Sequence, residues 1–308
     1  VNELRRIGIQ PDMLMCRSEG GLPQDVRKKI ALFASLPHDA IVSARDVDNI
    51  YKVPLVLRAE GMDDQILDHF GMDTITLAGP LEAKLQAMQE AGFGQVMLGA
   101  RDVAGHPGGV KAAVAAVRAS GLRPTGFQVL RDFEGLSGHL HEYKVDIAKT
   151  MLEMCAALGC DVLLACSSTS QHATNDVDVI AHDLRKLAML ALPLGIRIAY
   201  EGLSWGRTIN EFTTAWDVVC RADCPNLGIG IDSFHILAAG TSLDAIDDLD
   251  PGRIFLVQLS DFMWQETRTF EERMTTARTF RVFPGEGVHS EQLVDLVLRL
   301  DRLGYEGD

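Results

Sequence analysis

Residues 74–308 repeat one structural unit, a short apolar segment with strand character followed by an amphipathic segment with helix character. The units recur about every 25 to 35 residues, a spacing that accommodates one strand, one helix and two short loops. In repeats of this kind the strands pair in parallel and the helices cover the sheet. We predict seven strands, which begin at Thr74, Gln95, Thr125, Asp161, Ile196, Leu227 and Ile254.

The segments between these strands favour a barrel. Several of the predicted helices close on a glycine, the residue that most often terminates a helix: Gly92, Gly121, Gly159 and Gly195. One more helix, SEQLVDLVLRLDRLGYEGD, follows the seventh strand. The fold class is therefore α/β, and residues 74–308 are predicted to form a (β/α)8-type TIM barrel that lacks its last strand.

Residues 1–73 have a different rhythm, and we assign them to a small α/β fragment in front of the barrel. Two strands, PDMLMCRS and AIVSARD, flank the helix LPQDVRKKIALFASL, and IYKVPLVLRAEGMDDQILDHFG is expected to form one further helix. So few elements bury little apolar surface, and the fragment should be marginally stable by itself. The chain starts as if inside a domain and stops where another strand is expected, so we expect both ends to be cut.

The composition argues against several partners. A formal net charge of −14 opposes binding to a phosphate backbone, so nucleic acid is not an expected partner. No apolar run approaches the roughly 20 residues that cross a bilayer, and the first residues lack a signal-peptide core. We expect a cytoplasmic protein without membrane contact, and a homo-oligomer is compatible with the sequence. The six cysteines lack CxxC spacing and are expected to be reduced core residues.

Three consecutive predicted strands end in oxygen-bearing side chains. Glu201, Asp232 and Gln258 each lie at or just past an apolar run. Because the carboxyl ends of barrel strands meet at one rim, these side chains should lie close together. Oxygen ligands of this type suit magnesium or manganese better than zinc. The set predicts a metal site, although any one member could instead cap its strand or pair with a neighbouring basic residue.

Other polar residues fall on the same rim. His235 follows Asp232 by three residues and could transfer protons or support a metal ligand, although an isolated histidine is more often structural. Arg131, Arg207 and Arg281 lie after strands or in loops on this face. An arginine can bind a carboxylate through two hydrogen bonds, so these residues are candidate substrate ligands, or they could hold nearby acids such as Asp132 or Glu286.

From Thr74 onward the sequence resembles the sugar phosphate isomerase/epimerase superfamily with the xylose isomerase-like barrel, and within it the bacterial 3-dehydroshikimate dehydratases. The resemblance is carried, in order, by FQVLRDFEG, YEGLSWGRTIN, IDSFHIL, IFLVQLSD and FRVFPGEG. It implies a divalent cation (Mg, Mn or Co) held by Glu201, Asp232 and Gln258, and substrate or proton-transfer roles for His235, Arg131 and Arg281. It also implies a further glutamate ligand on an eighth strand, which this sequence does not contain.

The first 73 residues resemble the synthetase domain of CTP synthase, through LRRIGIQPDMLMCRS, KKIALFASLP, ARDVDNIYKVPLVL and GMDDQILDHFG. The matching piece is small and lacks that family's phosphate-binding loop, magnesium carboxylates and glutaminase domain. The join falls close to Asp73 and Thr74 without a flexible linker, as expected of a fused or misassembled reading frame.

The sequence leaves several functions open. The barrel resemblance favours a metal-dependent lyase that dehydrates 3-dehydroshikimate to protocatechuate through a metal-stabilised enolate. A sugar phosphate isomerase or epimerase would need the same metal site but no residue that binds a substrate carboxylate. In either case the partner is a small molecule, a hydroxylated carboxylic acid or a sugar. A non-catalytic fusion fragment, or a nucleotide-binding fragment of CTP synthase, remains the alternative to an enzyme.

Overall fold

The structure is a computed structural model that describes residues 11–49 and 52–307. Its contacts divide the chain into two compact units. One unit contains the described residues up to Gly71 together with Met88–Gln95, and the other contains Met72–Ala87 with the described residues from Val96 onward. Each unit is considered separately below.

The first unit confirms the predicted strand–helix–strand order. Its two strands pair in parallel over their whole length, with Leu14 opposite Ile41 and Ser18 opposite Arg45. The single helix predicted after the second strand is wrong, because the chain forms two helices separated at Glu60 and Gly61. Gly61 has a φ of 75°, which a glycine adopts without strain and which ends the helix. The elements are β1 (Leu14–Ser18), α1 (Gln24–Ala34), β2 (Ile41–Arg45), α2 (Val53–Ala59) and α3 (Met62–His69).

A second sheet has seven strands in the order of the chain, as the repeating pattern predicts. The pairings from the third of these strands to the seventh are parallel. Three strands are buried along their full length, which is typical of a parallel sheet covered on both faces. The strands are β3 (Gly71–Asp73), β4 (Gln95–Gly99), β5 (Arg123–Arg131), β6 (Val162–Cys166), β7 (Arg197–Glu201), β8 (Leu227–Asp232) and β9 (Ile254–Gln258).

Helices follow the strands of this sheet and give the α/β alternation that the sequence predicts. Among the described residues no helix is both long enough and apolar enough to span a membrane. Of the four glycines predicted to end helices, Gly121 and Gly159 cap theirs with positive φ angles. The helices are α4 (Leu81–Glu90), α5 (Ala100–Ala104), α6 (Gly109–Ser120), α7 (Gly138–Leu158), α8 (Val177–Ala191), α9 (Phe212–Ala222), α10 (Ser233–Ala239), α11 (Phe270–Thr279) and α12 (Ser290–Leu303).

The first strand of this sheet lies three residues earlier than predicted. The expected strand at Thr74 is instead a 3-10 turn over Thr74–Thr76, and the strand is Gly71–Asp73. Two threonine hydroxyls favour the turn: Thr76 Oγ1 donates to the Asp73 carbonyl at 2.7 Å, and Thr74 Oγ1 accepts from the Gly99 amide at 2.8 Å. Such side-chain bonds to the backbone compete with strand pairing. Asp73 therefore occupies the carboxyl end of the first strand.

The sheet curls so that its two outer strands meet at their carboxyl ends. Gln258, the last residue of β9, donates through Nε2 to Oδ2 of Asp73, the last residue of β3, at 2.8 Å. The two residues are separated by 185 positions in the chain. Right-handed strand twist accumulates across a sheet and brings its ends together in this way. The result is a rim of strand ends with Asp73 on one side and Gln258 on the other.

Candidate metal centre

The three residues predicted as metal ligands lie side by side on this rim. Glu201 ends β7, Asp232 ends β8 and Gln258 ends β9, and Asp232 is directly opposite Gln258 in the strand register. Glu201 and Asp232 are buried, and Gln258 is half-buried. Because parallel strands run in the same direction, their carboxyl-terminal side chains share one face of the rim.

His235 joins these acids. One ligand atom from each of Glu201, Asp232 and His235 lies within 4.8 Å of the others. His235 stands on the first turn of α10, a helix that begins directly after β8 and whose first turn is capped by the Asp232 side chain, which accepts from the Phe234 amide. The direct passage from strand to helix therefore places an acid and an imidazole three residues apart in one buried cluster.

The structure assigns His235 a protonation state. Its Nδ1 accepts a hydrogen bond from the Ser204 amide at 3.0 Å, so in the neutral ring the proton is on Nε2. Nε2 faces Asp232 Oδ2 at 3.7 Å. Burial lowers the pKa of His235 to about 4, which keeps the ring neutral near pH 7. With Nδ1 engaged and Nε2 protonated, His235 is a hydrogen-bond donor toward the acids, and its lone pair is not free for a metal.

Asp73 is a fourth member of the rim that sequence reasoning missed. Its carboxylate accepts from Gln128 Nε2 and from Gln258 Nε2, both at 2.8 Å. The charge of Asp73 raises the pKa of Glu201, and the charge of Asp232 raises the pKa of Asp73. The residue was placed at the end of the N-terminal fragment, so no strand-end role was expected for it. The signal that could have found it is the position of an acid directly before the predicted strand start at Thr74.

We call Asp73, Glu201 and Asp232 the acidic cluster. Burial is the main cause that raises the pKa of Asp73 and of Glu201, in each case to about 7, and mutual repulsion adds to it. One guanidinium, that of Arg281, donates to Asp232 Oδ2 at 2.7 Å. Three carboxylates and one arginine leave two negative charges in excess when all are ionised. One divalent cation carries the charge that would offset them, and carboxylate and amide oxygens are the donors that hard cations prefer.

The three candidate arginines have different surroundings. Arg281 lies against the acidic cluster: besides Asp232 it donates to Ser260 Oγ at 3.2 Å, and its guanidinium lies 4.6 Å from the centre of the Phe234 ring. Arg207 donates to the Gln171 carbonyl at 2.7 Å and so ties two loops together. Arg131 ends β5 and is exposed, and within the described part of the chain its guanidinium makes no hydrogen bond or ion pair.

Cys166 is a second contact that the sequence did not reveal. It ends β6, is paired with Glu201 in the strand register, and its thiol donates to Glu201 Oε2 at 2.8 Å. Burial and the charge of Glu201 raise the pKa of this thiol, so it stays protonated as a donor. Its apolar strand led to the interpretation of a core cysteine, which is correct for burial but omits the contact. The thiol fixes one oxygen of Glu201.

A further buried acid, Glu134, lies outside the acidic cluster. The residue is 2% exposed. Its Oε1 accepts from the Ser168 amide and from the Tyr200 hydroxyl, while its Oε2 has no hydrogen-bond partner among the described residues. Burial raises the pKa of Glu134 to about 7. The acid is therefore protonated in the folded chain at a pH where it would be ionised in the unfolded chain.

Replacing Glu134 by glutamine is expected to remove part of the pH dependence of stability. Glutamine can keep its oxygen on Ser168 and Tyr200, but it does not ionise. Between the unfolded pKa of 4.5 and the folded pKa of about 7, rising pH deprotonates the unfolded wild type first and so destabilises its fold. The stability advantage of E134Q should thus grow from pH 4.5 to pH 8 by up to about 3 kcal/mol. Urea unfolding at several pH values measures it, and an advantage that does not change with pH would contradict the expectation.

Comparisons with known proteins confirm what the sequence resembles. The family model of xylose isomerase-like TIM barrels matches residues 85–307. The chain belongs to this family. A separate model, that of the CTP synthase N-terminus, matches residues 1–72. The xylose isomerase-like barrel is thus the fold of the seven-stranded sheet, and the front segment is similar to a piece of CTP synthase.

The chain is similar to individual members of known protein families. A 3-dehydroshikimate dehydratase of Pseudomonas aeruginosa is 36% identical over 214 residues, which are 70% of this chain and 33% of that protein. The chain thus spans about a third of the length of this curated relative. Among solved structures, a xylose isomerase-like TIM barrel/4-hydroxyphenylpyruvate dioxygenase fusion protein has a TM-score of 0.71 and 33% identity, and the match covers 77% of this chain and 37% of that one.

A second solved structure is similar in fold. IOLI protein with a bound zinc atom has a TM-score of 0.65 and 21% identity, and the match covers 77% of this chain and 85% of that one. At this identity the similarity shows the fold alone.

Proposed function

We propose that the barrel is a metal-dependent lyase that removes water from 3-dehydroshikimate to give protocatechuate. The observation that carries the proposal is the convergence of two buried carboxylates and one amide at adjacent strand ends, with an excess of negative charge. The identity of 36% to a 3-dehydroshikimate dehydratase supplies the reaction class.

Glu201, Asp232 and Gln258 would hold the cation through two carboxylates and an amide oxygen. When bound, a magnesium, manganese or cobalt ion would polarise the substrate ketone and stabilise the negative charge that develops on its oxygen. Two contacts hold the proposed ligands in place. The Cys166 thiol fixes Glu201, and the Asp232 side chain is fixed by the Phe234 amide in the first turn of α10. These contacts keep the donors in place before substrate arrives.

The reaction removes one proton from the carbon beside the ketone and one hydroxyl group from a neighbouring carbon, and the two leave as water. Nε2 of His235 carries a proton at the edge of the acidic cluster, so the neutral ring can donate a hydrogen bond to an oxygen anion that develops there. Arg281 holds Asp232 Oδ2 through a hydrogen bond of 2.7 Å. Arg207 fixes the loop at Gln171 that borders this face.

Arg131 is the candidate for binding the substrate carboxylate. It is exposed at the end of β5, its charge reaches Cys166 next to Glu201, and its guanidinium is not engaged by another described residue. A free guanidinium can form two parallel hydrogen bonds to a carboxylate. The substrate acid would then lie at Arg131 and its ketone at the acidic cluster.

The test is incubation of the chain with 3-dehydroshikimate in the presence of Mn²⁺, Mg²⁺ or Co²⁺. We expect an aromatic acid that is lighter than the substrate by one water, detected by ultraviolet absorbance and mass spectrometry. A panel of ketose sugars and sugar phosphates in parallel covers the isomerase alternative. Substrate that remains unchanged with all three metals would refute the lyase, and interconversion of a sugar instead would replace it with the isomerase.

Replacing Arg131 by glutamine further distinguishes the proposed lyase from the isomerase alternative. Loss of a charge-assisted contact to the substrate carboxylate is expected to lower kcat/KM for 3-dehydroshikimate by about 10- to 100-fold, mainly through KM. Lysine at this position should restore part of the loss, because it keeps the charge without the two-point geometry. A neutral sugar would be converted equally well by R131Q and the wild type. Steady-state kinetics of the three proteins give the result, and an unchanged kcat/KM for the acid would remove Arg131 from the site.

A further inference from the structure

The amide of Gln258 has a fixed orientation. Its nitrogen, Nε2, donates to Asp73 Oδ2 at 2.8 Å and lies 3.8 Å from the Met97 sulfur. The Met97 thioether only accepts hydrogen bonds, and the Asp73 carboxylate only accepts them in its ionised form. Both contacts favour an amide whose nitrogen faces Asp73 and Met97 and whose oxygen points elsewhere.

That amide oxygen is free for a ligand. Within the described part of the chain no residue donates a hydrogen bond to Gln258 Oε1, although Gln258 is half-buried and opposite Asp232 in the strand register. An amide whose nitrogen is held by two acceptors presents its oxygen with little freedom to turn over. Hard cations bind amide oxygens and do not bind amide nitrogens.

Asp73 is itself anchored on its other side. Its second oxygen, Oδ1, accepts from Gln128 Nε2 at 2.8 Å, and Gln128 is buried. Gln128 and Gln258 thus hold the carboxylate from both sides. Asp73 does not belong to the group of described residues whose ligand atoms lie within 4.8 Å of one another, which consists of Glu201, Asp232 and His235. It contacts the site through Gln258.

We propose that Asp73 is a positioning residue of the metal centre: it orients the Gln258 amide so that Oε1 faces the cation site formed with Glu201 and Asp232. The inference rests on the proposed metal centre. It assigns a role to the last residue of β3, on the opposite edge of the sheet from β9. Contacts that orient metal ligands typically change metal affinity by about 10- to 100-fold.

The test is a double-mutant cycle on Mn²⁺ affinity, measured by electron paramagnetic resonance of free Mn²⁺. The proteins are the wild type, D73A, Q258A and D73A/Q258A. We expect D73A to weaken Mn²⁺ binding by about 10- to 100-fold, because the Gln258 amide loses its orientation. If Asp73 acts through Gln258, the double variant should bind Mn²⁺ as Q258A does. Losses that multiply would show that Asp73 acts independently, by its charge or as a ligand, and would overturn the inference.

Two further variants test whether the change in Mn²⁺ affinity is specific to Asp73. E134Q removes a buried acid with a similarly raised pKa outside the acidic cluster, so its Mn²⁺ affinity should equal that of the wild type. D73N leaves one accepting oxygen for two amides and should give a smaller loss of the same sign, which keeps the test available if D73A does not fold. Equal Mn²⁺ affinity of D73A and the wild type would refute the inference and leave the metal centre intact. A wild type that binds no Mn²⁺ would refute both.

Discussion

Chains in which Glu201 is replaced by glutamine are expected to lose Mn²⁺ affinity by at least about 100-fold, since one of two charged ligands becomes neutral. In the metal-free protein the same change should increase stability at pH 8. Glu201 is buried beside Asp232, and both burial and the charge of Asp232 raise its pKa to about 7. Its ionisation therefore costs folding free energy at high pH, and glutamine avoids that cost. The Cys166 thiol can still donate to the oxygen of the new amide.

Replacing a buried metal ligand should weaken Mn²⁺ binding and stabilise the metal-free protein, whereas replacing a structural acid should change stability alone. Calorimetric titration with Mn²⁺ and urea unfolding without metal measure the two quantities on the same samples. Asp232→Asn should show a similar loss of affinity, while E134Q should change stability at high pH and leave Mn²⁺ affinity alone. Retained affinity in both E201Q and D232N would refute the assignment of the metal centre to these acids.

Replacing Phe234 by alanine should destabilise the barrel by about 3 to 5 kcal/mol. The ring is fully buried, and its centre lies 5.2 Å from that of Phe262 and 5.4 Å from that of His235. The Arg281 guanidinium lies over the same ring. The substitution therefore leaves a cavity beside His235 and removes the surface on which Arg281 rests.

Tryptophan fluorescence during urea unfolding measures this loss in the barrel alone, because Trp205, Trp216 and Trp264 all lie in the second unit. The matched control is Phe283→Ala, at a phenylalanine that is 59% exposed. Its effect should stay within about 0.5 kcal/mol. A loss below about 1 kcal/mol for F234A would mean that the packing beneath the site relaxes around the cavity, and would contradict a rigid support for Arg281 and His235.

Much of the fold follows from the sequence because apolar segments and helix-ending glycines recur with a regular period. The same regularity predicted that Glu201, Asp232 and Gln258 would lie on one rim, since parallel strands share a direction. Strand ends, however, are set by local hydrogen bonds. The hydroxyls of Thr74 and Thr76 form a turn where the pattern favoured a strand, which moves the first strand to Gly71–Asp73.

Side-chain partners across the rim could not be read from the pattern. Asp73 and Gln258 are 185 positions apart, and only the curl of the sheet brings them together. Cys166 meets Glu201 through strand register, and Arg281 turns toward Asp232 from a distant loop. The sequence predicts Arg281 as a substrate ligand or as the partner of an acid such as Asp132 or Glu286. In the structure it pairs with a different acid, Asp232, which is buried and gains from a guanidinium partner.

The most direct measurement is the formation of aromatic acid from 3-dehydroshikimate by the chain after chelation, before and after Mn²⁺ is restored. We predict no product from the metal-stripped chain, and product that rises with added Mn²⁺ until one ion is bound per chain. E201Q should form no product at the same Mn²⁺ concentration. Product at an undiminished rate in the presence of chelator, or no product with restored Mn²⁺, would contradict a metal-dependent dehydratase.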